Sequence, residues 1–378
     1  MVYTEDNILR IAKRNHNTKR KYLLVNPLQG KHLPVDPRKS LSMMNTFGKT
    51  LASKYPTAKL IIGFAETATA IGAAIAANFD NAVYITTTRE EVVSDNIVSF
   101  KEEHSHAVDQ ILVTDNFDEY LANTDTVILI DDELSTGKTI CNIVDILKKN
   151  FPELNNKTIV AASIINRMSA ENIVNMEKAG IKFESLVKIE NTDYTSMVDS
   201  WDIADPSRPE SISIDKTRYT VIDKRGAIPD VRYGINANEY NAIVTHENAK
   251  TIDTMDDVSG GVHGKVLVIG TEEFMYPAIK LAQQLADSKN LEVYTQSTTR
   301  SPIGVISGKI CPMSYPIYKG NKIFSFYDMS RKTYIYDFES YDSVIVVTDS
   351  KVDYNIIDHA IYDIALLANC DTLYLVRY

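Results

Sequence analysis

Cysteine is scarce in this sequence, and basic residues are outnumbered by acidic ones. The 378 residues include 3 cysteines, Cys141, Cys311 and Cys370, which lie far apart and form no C-x-x-C pair. Such cysteines offer neither a disulfide framework nor a zinc site, and they fit reduced thiols in a cytoplasm. The net charge of −10 argues against a nucleic-acid or membrane surface, because either needs a basic face. A small anionic ligand stays open, since backbone amides bind phosphate whatever the overall charge.

Long apolar runs and an export signal are also missing. The most apolar window, Leu60 to Phe79, is interrupted by Glu66 and by threonines, and it divides into a strand and an alanine-rich helix. The first residues lack a basic-then-apolar pattern. We therefore expect a cytoplasmic protein that binds no membrane and no nucleic acid. The length indicates about two domains.

Short β-branched runs alternate with helical patterns along the chain. Predicted strands occupy residues 60–63, 82–86, 126–130, 158–165, 265–269, 291–295, 344–347 and 372–376. This alternation predicts the α/β class, with mainly parallel sheets covered on both faces. The pattern loses its periodicity between residues 207 and 225, which we interpret as a junction. The predicted domains are residues 1–206 and 226–378.

The two halves of the chain show a weak internal sequence similarity. A strand ends at Gly63 with Glu66 just after it, and another ends at Gly270 with Glu272 and Glu273 just after it. We hypothesise that the second lobe is a diverged copy of the first that lost its phosphate loop. The alternative is that any two α/β lobes look alike at strand ends, and different strand orders would contradict the hypothesis.

The strongest chemical signal follows the strand at 126–130. It reads Asp131-Asp132-Glu133-Leu134-Ser135-Thr136-Gly137-Lys138-Thr139 and leads into an amphipathic helix. A parallel strand delivers its C-terminal loop to the crevice where α/β folds bind ligands. Adjacent carboxylates suit the two hydroxyls of a ribose, and a glycine at a helix start lets backbone amides surround a phosphate. The combination predicts a site for a ribose with a 5′-phosphate.

This loop has two alternative interpretations. Gly137-Lys138-Thr139 matches the end of a Walker A loop, but that loop needs a glycine where this chain has Asp132. An NTPase is therefore disfavoured. The other alternative is a solvated strand end whose acids cap the next helix.

The loop resembles the phosphoribosyl pyrophosphate (PRPP) motif of type I phosphoribosyltransferases. The chain as a whole resembles their two-domain bacterial branch, found with tellurite-resistance and stress-response operons and ending in a TRSP domain. Besides the loop, the matching stretches are Gly30 to Val35, Gly63 to Ala70, Phe100 to Ala107, Gly270 to Pro277 and Thr299 to Pro302. The resemblance implies a Rossmann-like transferase domain followed by a second α/β domain. It also implies Mg²⁺ as cofactor, a homodimer by family habit, and synthesis of a nucleoside- or nucleotide-like metabolite.

The resemblance implies roles for named residues. Asp131 and Asp132 would hold the ribose hydroxyls, and they are also the protein groups nearest to Mg²⁺, which would be bound mainly through PRPP. The stretch Ser135, Thr136, Gly137, Lys138 and Thr139 would hold the 5′-phosphate, and Glu133 would also contact PRPP. Ala65, Glu66 and Thr67 fall in the pyrophosphate loop, where the acidic Glu66 departs from the family pattern. It either contacts substrate or stabilises the helix start electrostatically.

Further roles fall on residues outside the phosphate loop. Arg89 follows the strand at 82–86, where a basic residue would bind pyrophosphate, although it can equally be a solvated arginine. In the active-site flap, Lys101, His104 and His106 would close over PRPP and shuttle a proton, although alternation can place both histidines on one exposed strand face. Residues 20–37 would form a hood in which Lys31 and His32 meet the acceptor.

The second lobe offers Glu272, Glu273, Arg300 and Ser301 at strand ends, as a ligand site or as a structural Arg–Glu pair. Two function classes follow for the whole chain. One is a PRPP-dependent phosphoribosyltransferase acting on a base or base-like acceptor. The other is a non-catalytic PRPP- or nucleotide-binding regulator. Ordinary orotate or purine salvage is disfavoured by the extra lobe.

Overall fold

The computed structural model describes residues 2–18, 20–100, 110–209, 219–258, 261–306 and 317–378. Its α-helices are α1 (Glu5–Ile8), α2 (Pro37–Lys54), α3 (Thr69–Ala76), α4 (Phe117–Ala122), α5 (Lys138–Asn150), α6 (Ala170–Lys178), α7 (Thr195–Asp199), α8 (Ala237–Asp256), α9 (Tyr276–Lys289) and α10 (Tyr354–Ala368). Short 3-10 helices span Pro152–Asn156 and Val231–Tyr233.

The strands up to the junction are β1 (Arg10–Lys13), β2 (Tyr22–Val25), β3 (Ala58–Gly63), β4 (Val83–Thr86), β5 (Ile97–Phe100), β6 (Gln110–Val113), β7 (Thr126–Leu134), β8 (Thr158–Asn166), β9 (Ile181–Lys188) and β10 (Ile203–Ala204). Those after it are β11 (Thr220–Asp223), β12 (Ile235–Asn236), β13 (Lys265–Gly270), β14 (Glu292–Ser297), β15 (Val305–Ile306), β16 (Gly320–Phe324), β17 (Lys332–Tyr336), β18 (Ser343–Thr348) and β19 (Thr372–Arg377). The elements form two compact units.

The first unit is built mainly from Leu41–Thr192 and Pro229–Ile243. Its sheet has the strand order β12-β4-β3-β7-β8-β9, in which β12 is antiparallel and the other strands are parallel. Beside the sheet, β5 and β6 form an antiparallel hairpin. The central strands are apolar along most of their length because helices cover them on both faces, as parallel sheets require.

Two glycines let α3 approach the sheet closely. A Cβ at Gly63 would lie 2.7 Å from the Tyr84 hydroxyl, and one at Gly72 would lie 2.8 Å from the Tyr84 ring. The same hydroxyl donates to the main-chain oxygen of Thr69 at 2.5 Å. The start of α3, and with it the loop after β3, is thereby held at the carboxyl edge of the sheet.

The second unit is built from Asp6–Ser40, Asp193–Ile228 and Val244–Tyr378. Its sheet is parallel throughout, with the order β11-β19-β18-β13-β14. Beside it, β16 and β17 form an antiparallel hairpin. The predicted α/β class, with a mainly parallel sheet followed by a second α/β domain, is confirmed.

Each unit is completed by a segment distant from it along the chain. In the first unit, Ile235 pairs with Tyr84 on the edge strand β4. In the second, Val35 pairs with Thr295 on the edge strand β14, in an isolated antiparallel bridge. Residues 20–37, predicted as a hood for the first domain, thus pack with the second unit. Among the described residues, no helix has both the length and the apolar character needed to cross a bilayer.

Candidate active site

The two aspartates lie within a strand that is longer than predicted. Strand β7 continues past Ile130 to Leu134 because β8 runs beside it, with Asp131 opposite Ser163 and Leu134 opposite Asn166. Both aspartates are half-buried. The Asp131 carboxylate accepts the amide of Asp132 at 2.9 Å. The acids therefore sit on a hydrogen-bonded backbone at the carboxyl edge of the sheet.

A left-handed glycine makes the turn between β7 and α5. Gly137 has a φ of +70° and is the N-cap of α5. Its main-chain oxygen accepts the amide of Cys141 at 2.9 Å, and the Thr136 hydroxyl accepts the amide of Lys138 at 3.3 Å. Ser135, Thr136, Lys138 and Thr139 are all at least partly exposed. The turn thus offers hydroxyls and a helix N-terminus to solvent, as a phosphate site requires.

The loop after β3 lies beside the aspartates. The Thr67 hydroxyl donates to the Asp132 carboxylate, with 2.8 Å between Oγ1 and Oδ1. The Ala65 amide donates to the Thr87 hydroxyl at 2.8 Å. Glu66 is 6% exposed, and the Ala65–Glu66 peptide is cis. The structure therefore brings together two predicted parts of the site, the acids and the loop 65–67.

The third predicted part of the site follows the end of β4. Arg89, partly buried, follows Thr87 and Thr88. Thr88 exchanges two main-chain hydrogen bonds of 2.8 Å with Ile111 of β6, which fixes the β5–β6 hairpin beside this edge. The predicted flap residues Lys101, His104 and His106 lie outside the described residues.

Sequence reasoning missed one arginine at this edge. Arg167 directly follows β8, and its Nε donates to the Glu133 carboxylate at 2.5 Å, with both side chains largely buried. Glu133, predicted to bind PRPP, thus has a guanidinium partner. The position of Arg167 after a parallel strand was a usable signal, because every such strand of the sheet ends at the same edge.

One turn into α5, the thiol of Cys141 faces Met176, with 3.4 Å between the two sulfurs. Burial, aided by the nearby Asp145, raises the pKa of this thiol. A partly buried thiol with a raised pKa stays protonated at neutral pH and is a poor nucleophile.

The predicted second-lobe residues also meet in space. Arg300 donates to Glu272 at 2.6 Å through Nε and to Glu273 at 3.0 Å through Nη2. Arg331, which sequence reasoning missed, donates to the same Glu272 oxygen at 2.9 Å. The Ser301 amide donates to the Thr299 hydroxyl at 3.2 Å.

Lys31 and His32 are buried in the second unit. The Lys31 ammonium donates to the main-chain oxygens of Glu272 and Thr298, at 2.6 and 3.0 Å. These hydrogen bonds replace the water that the Lys31 ammonium loses on burial. The acceptor role of Lys31 and His32 stays a prediction.

Gly137→Ala is expected to destabilise the first unit by about 2–3 kcal/mol. A side chain in the left-handed region costs roughly 1–2 kcal/mol, and here the new Cβ would also lie 2.7 Å from the buried Met176 sulfur. Gly180→Ala is a matched control, since Gly180 has the same φ of +70° but no atom within 4 Å of its Cβ position. Urea unfolding of both variants measures the difference, and equal losses would contradict the crowding at Gly137.

Two family models match the chain. One is described as phosphoribosyl transferase and matches residues 8–193. The other is described as the TRSP domain C-terminal to that transferase and matches residues 230–364.

Among individual proteins, the xanthine phosphoribosyltransferase of Brevibacillus brevis is 30% identical over 105 residues, 28% of this chain and 48% of the relative. The chain therefore matches about half the length of this curated relative. Among solved structures, adenine phosphoribosyltransferases of Trypanosoma brucei and Leishmania donovani are similar at 15% identity and a TM-score of 0.34. The matches cover 48% and 49% of this chain, and 76% and 78% of those structures. Similarity at this level supports no conclusion about substrate.

The two family models together span most of the chain, in the order that the sequence resemblance implied. The boundary between them falls where the periodicity of the sequence is lost. This chain belongs to the phosphoribosyltransferase family whose members carry a TRSP domain after the transferase domain.

Proposed function

We propose that the first unit binds PRPP and transfers its phosphoribosyl group to a base or base-like acceptor, or catalyses the reverse reaction. The observation that carries this proposal is the 2.8 Å hydrogen bond between Thr67 and Asp132. It brings the loop expected to bind pyrophosphate next to the acids expected to bind ribose. The residues expected to bind pyrophosphate and those expected to bind ribose thus lie at the same edge of the sheet.

In this proposal the donor is held by three groups of residues. Asp131 and Asp132 accept hydrogen bonds from the ribose hydroxyls, since adjacent carboxylates match a vicinal diol. The turn from Ser135 to Thr139 binds the 5′-phosphate through amides and hydroxyls at the start of α5. Amides of loop 65–67 and the Arg89 guanidinium bind the pyrophosphate.

Catalysis then rests on positioning and electrostatics. The bond between ribose C1 and a pyrophosphate oxygen breaks, a bond from C1 to an acceptor nitrogen forms, and positive charge builds on the ribose between these events. The acceptor nitrogen gives its proton to a flap histidine, His104 or His106. Fixed carboxylates near the sugar stabilise that charge, and amides and arginine stabilise the departing anion. Flap residues Lys101, His104 and His106 are proposed to exclude water.

The donor set fits Mg²⁺. Among the described residues, no cluster of three or more histidine, cysteine, aspartate or glutamate side chains could hold a metal ion alone. Mg²⁺ usually keeps several waters and uses one or two carboxylates with substrate phosphates. Asp131 and Asp132 can supply those carboxylates, and the ion would neutralise charge on pyrophosphate.

Pyrophosphate release from PRPP and Mg²⁺, measured across a panel of bases that begins with xanthine and adenine, tests this function. We expect release that depends on at least one acceptor and that disappears in the Asp131→Asn, Asp132→Asn double variant. Tight PRPP binding without release under any condition would favour the non-catalytic regulator. Absence of PRPP binding would contradict both functions.

A further inference from the structure

The second unit repeats part of the fold of the first. The strand order β4-β3-β7-β8 in the first unit corresponds to β14-β13-β18-β19 in the second, but the next strand differs, because β9 follows β8 along the chain whereas β11 precedes β13. In both, a helix begins six residues after the glycine that ends the central strand, at Thr69 after Gly63 and at Tyr276 after Gly270. Both units also carry an antiparallel hairpin between the equivalents β4 and β7, or β14 and β18. The strand order thus agrees with a diverged copy for four strands and departs from it at the fifth, β9 or β11.

The repeat extends to single hydrogen bonds. The Thr87 amide donates to the main-chain oxygen of Gly63, and the Thr298 amide donates to that of Gly270, both at 3.0 Å. The Ala65 amide donates to the Thr87 hydroxyl at 2.8 Å, as the Glu272 amide does to the Thr298 hydroxyl at 2.9 Å.

The hairpins are attached in the same way as well. Thr88 exchanges main-chain hydrogen bonds with Ile111, and Thr299 does so with Tyr334. Ala65 is therefore equivalent to Glu272, and Arg89 to Arg300.

The two units differ at this equivalent position. The first has the methyl group of Ala65, whereas the second has the carboxylate of Glu272, which is 1% exposed. One oxygen of that carboxylate contacts both Arg300 and Arg331, and the other accepts the Ser325 hydroxyl. Arg300 also donates to the Glu273 carboxylate at 3.0 Å. The arginines are 17% and 21% exposed. Two guanidiniums that converge on one oxygen form the arrangement by which proteins bind phosphate.

In the second unit, the turn after β18 is equivalent to the proposed phosphate turn, and two of its amides form hydrogen bonds within the turn. After β18, the amides of Ser350 and Val352 donate to the hydroxyls of Thr348 and Ser350. The buried Arg377 donates to the main-chain oxygens of Ser350 and Val352, both at 2.7 Å. The amides of Ser350 and Val352 are thus engaged inside the turn.

The acid of the second unit that corresponds to Asp132 also has a hydrogen-bond partner. By strand register Asp349 is equivalent to Asp132, and its carboxylate accepts the Tyr327 hydroxyl at 2.6 Å. Burial, together with Asp349, raises the pKa of Tyr327 well above its ordinary value, so the phenol stays protonated and donates.

We propose that the second unit contains a latent oxyanion site, formed by Arg300 and Arg331, that its own Glu272 carboxylate fills. The site is equivalent to the pyrophosphate site of the first unit, and in this identification it rests on the proposed function. The second unit then binds no PRPP, and Glu272 acts as a permanent internal substitute for the pyrophosphate anion.

Isothermal titration with inorganic pyrophosphate and Mg²⁺ tests the latent site. Glu272→Ala removes the side chain that fills the site and introduces the residue that the first unit has at position 65, so we expect this variant to bind one more pyrophosphate per chain than the unmodified protein. Adding Arg300→Met to Glu272→Ala should remove that extra equivalent. The readout is a difference between variants, so it holds even if the first unit binds no pyrophosphate and the proposed function fails.

A second variant covers the case in which Glu272→Ala does not fold. Arg300→Met alone should leave the pyrophosphate stoichiometry unchanged, because Glu272 already fills the site. Loss of one equivalent in Arg300→Met would overturn the proposal, since it would show that the second unit binds the anion despite Glu272. A folded Glu272→Ala variant with unchanged stoichiometry would overturn it as well.

Discussion

Replacing Asp131 and Asp132 together by asparagine is expected to lower PRPP affinity at least about 100-fold while the first unit stays folded. A hydrogen bond to a charged group contributes roughly 1.5–3 kcal/mol, so two of them contribute about 3 kcal/mol or more. Every 1.4 kcal/mol corresponds to about tenfold in affinity. Titration calorimetry with PRPP and Mg²⁺ measures the loss directly.

The fold is expected to survive because asparagine can replace the contacts that each aspartate makes. Its side-chain oxygen can accept the Asp132 amide at position 131 and the Thr67 hydroxyl at position 132. The double variant Asp118→Asn, Glu119→Gln is a matched control, since these adjacent acids are exposed on α4. Retained micromolar affinity in the Asp131, Asp132 variant would show that the ribose binds elsewhere.

Glu272→Gln is expected to lower the free energy of unfolding of the second unit by about 3 kcal/mol. Breaking a buried ion pair by removing one partner costs about 3–5 kcal/mol, because the remaining charge is left uncompensated. Here one carboxylate serves two arginines, which retain 17% and 21% exposure and so keep some contact with water. The lower end of the range therefore applies, and denaturant unfolding measures it.

Glu339→Gln provides the control for this loss. Glu339 pairs with Lys265 at 2.7 Å in the same unit, but its side chain is 62% exposed. Exposed ion pairs contribute about 0–1 kcal/mol, so the same substitution there should have little effect. Similar losses in the two variants would mean that Glu272 is not the shared counter-ion of Arg300 and Arg331.

Much of the sheet and the core of the site could be predicted from the sequence. The strands β3, β4, β7 and β8 are apolar runs bounded by polar residues, so their existence follows from local pattern alone. The acids and the turn at Gly137 lie next to each other in the chain, and their chemistry can be read without tertiary information. Even the pairing of loop 65–67 with Asp132 follows from the rule that parallel strands end at one edge.

What escaped prediction depends on partners that are distant in sequence. The extension of β7 through the acids depends on β8 running equally far beside it. The packing of residues 20–37 with the second unit depends on Val35 reaching Thr295, some 260 positions away, and no local periodicity encodes such a choice. Arg331 lies in the β16–β17 hairpin. It contacts Glu272 only because main-chain hydrogen bonds hold that hairpin beside the end of β14.

The most direct test of the whole account is a crystal structure of the full chain grown with PRPP and Mg²⁺. We predict one PRPP per chain, with its ribose hydroxyls hydrogen-bonded to Asp131 and Asp132 and its 5′-phosphate on the amides at the start of α5. The turn from Ser135 to Thr139 standing empty while PRPP occupies another place would contradict the central claim.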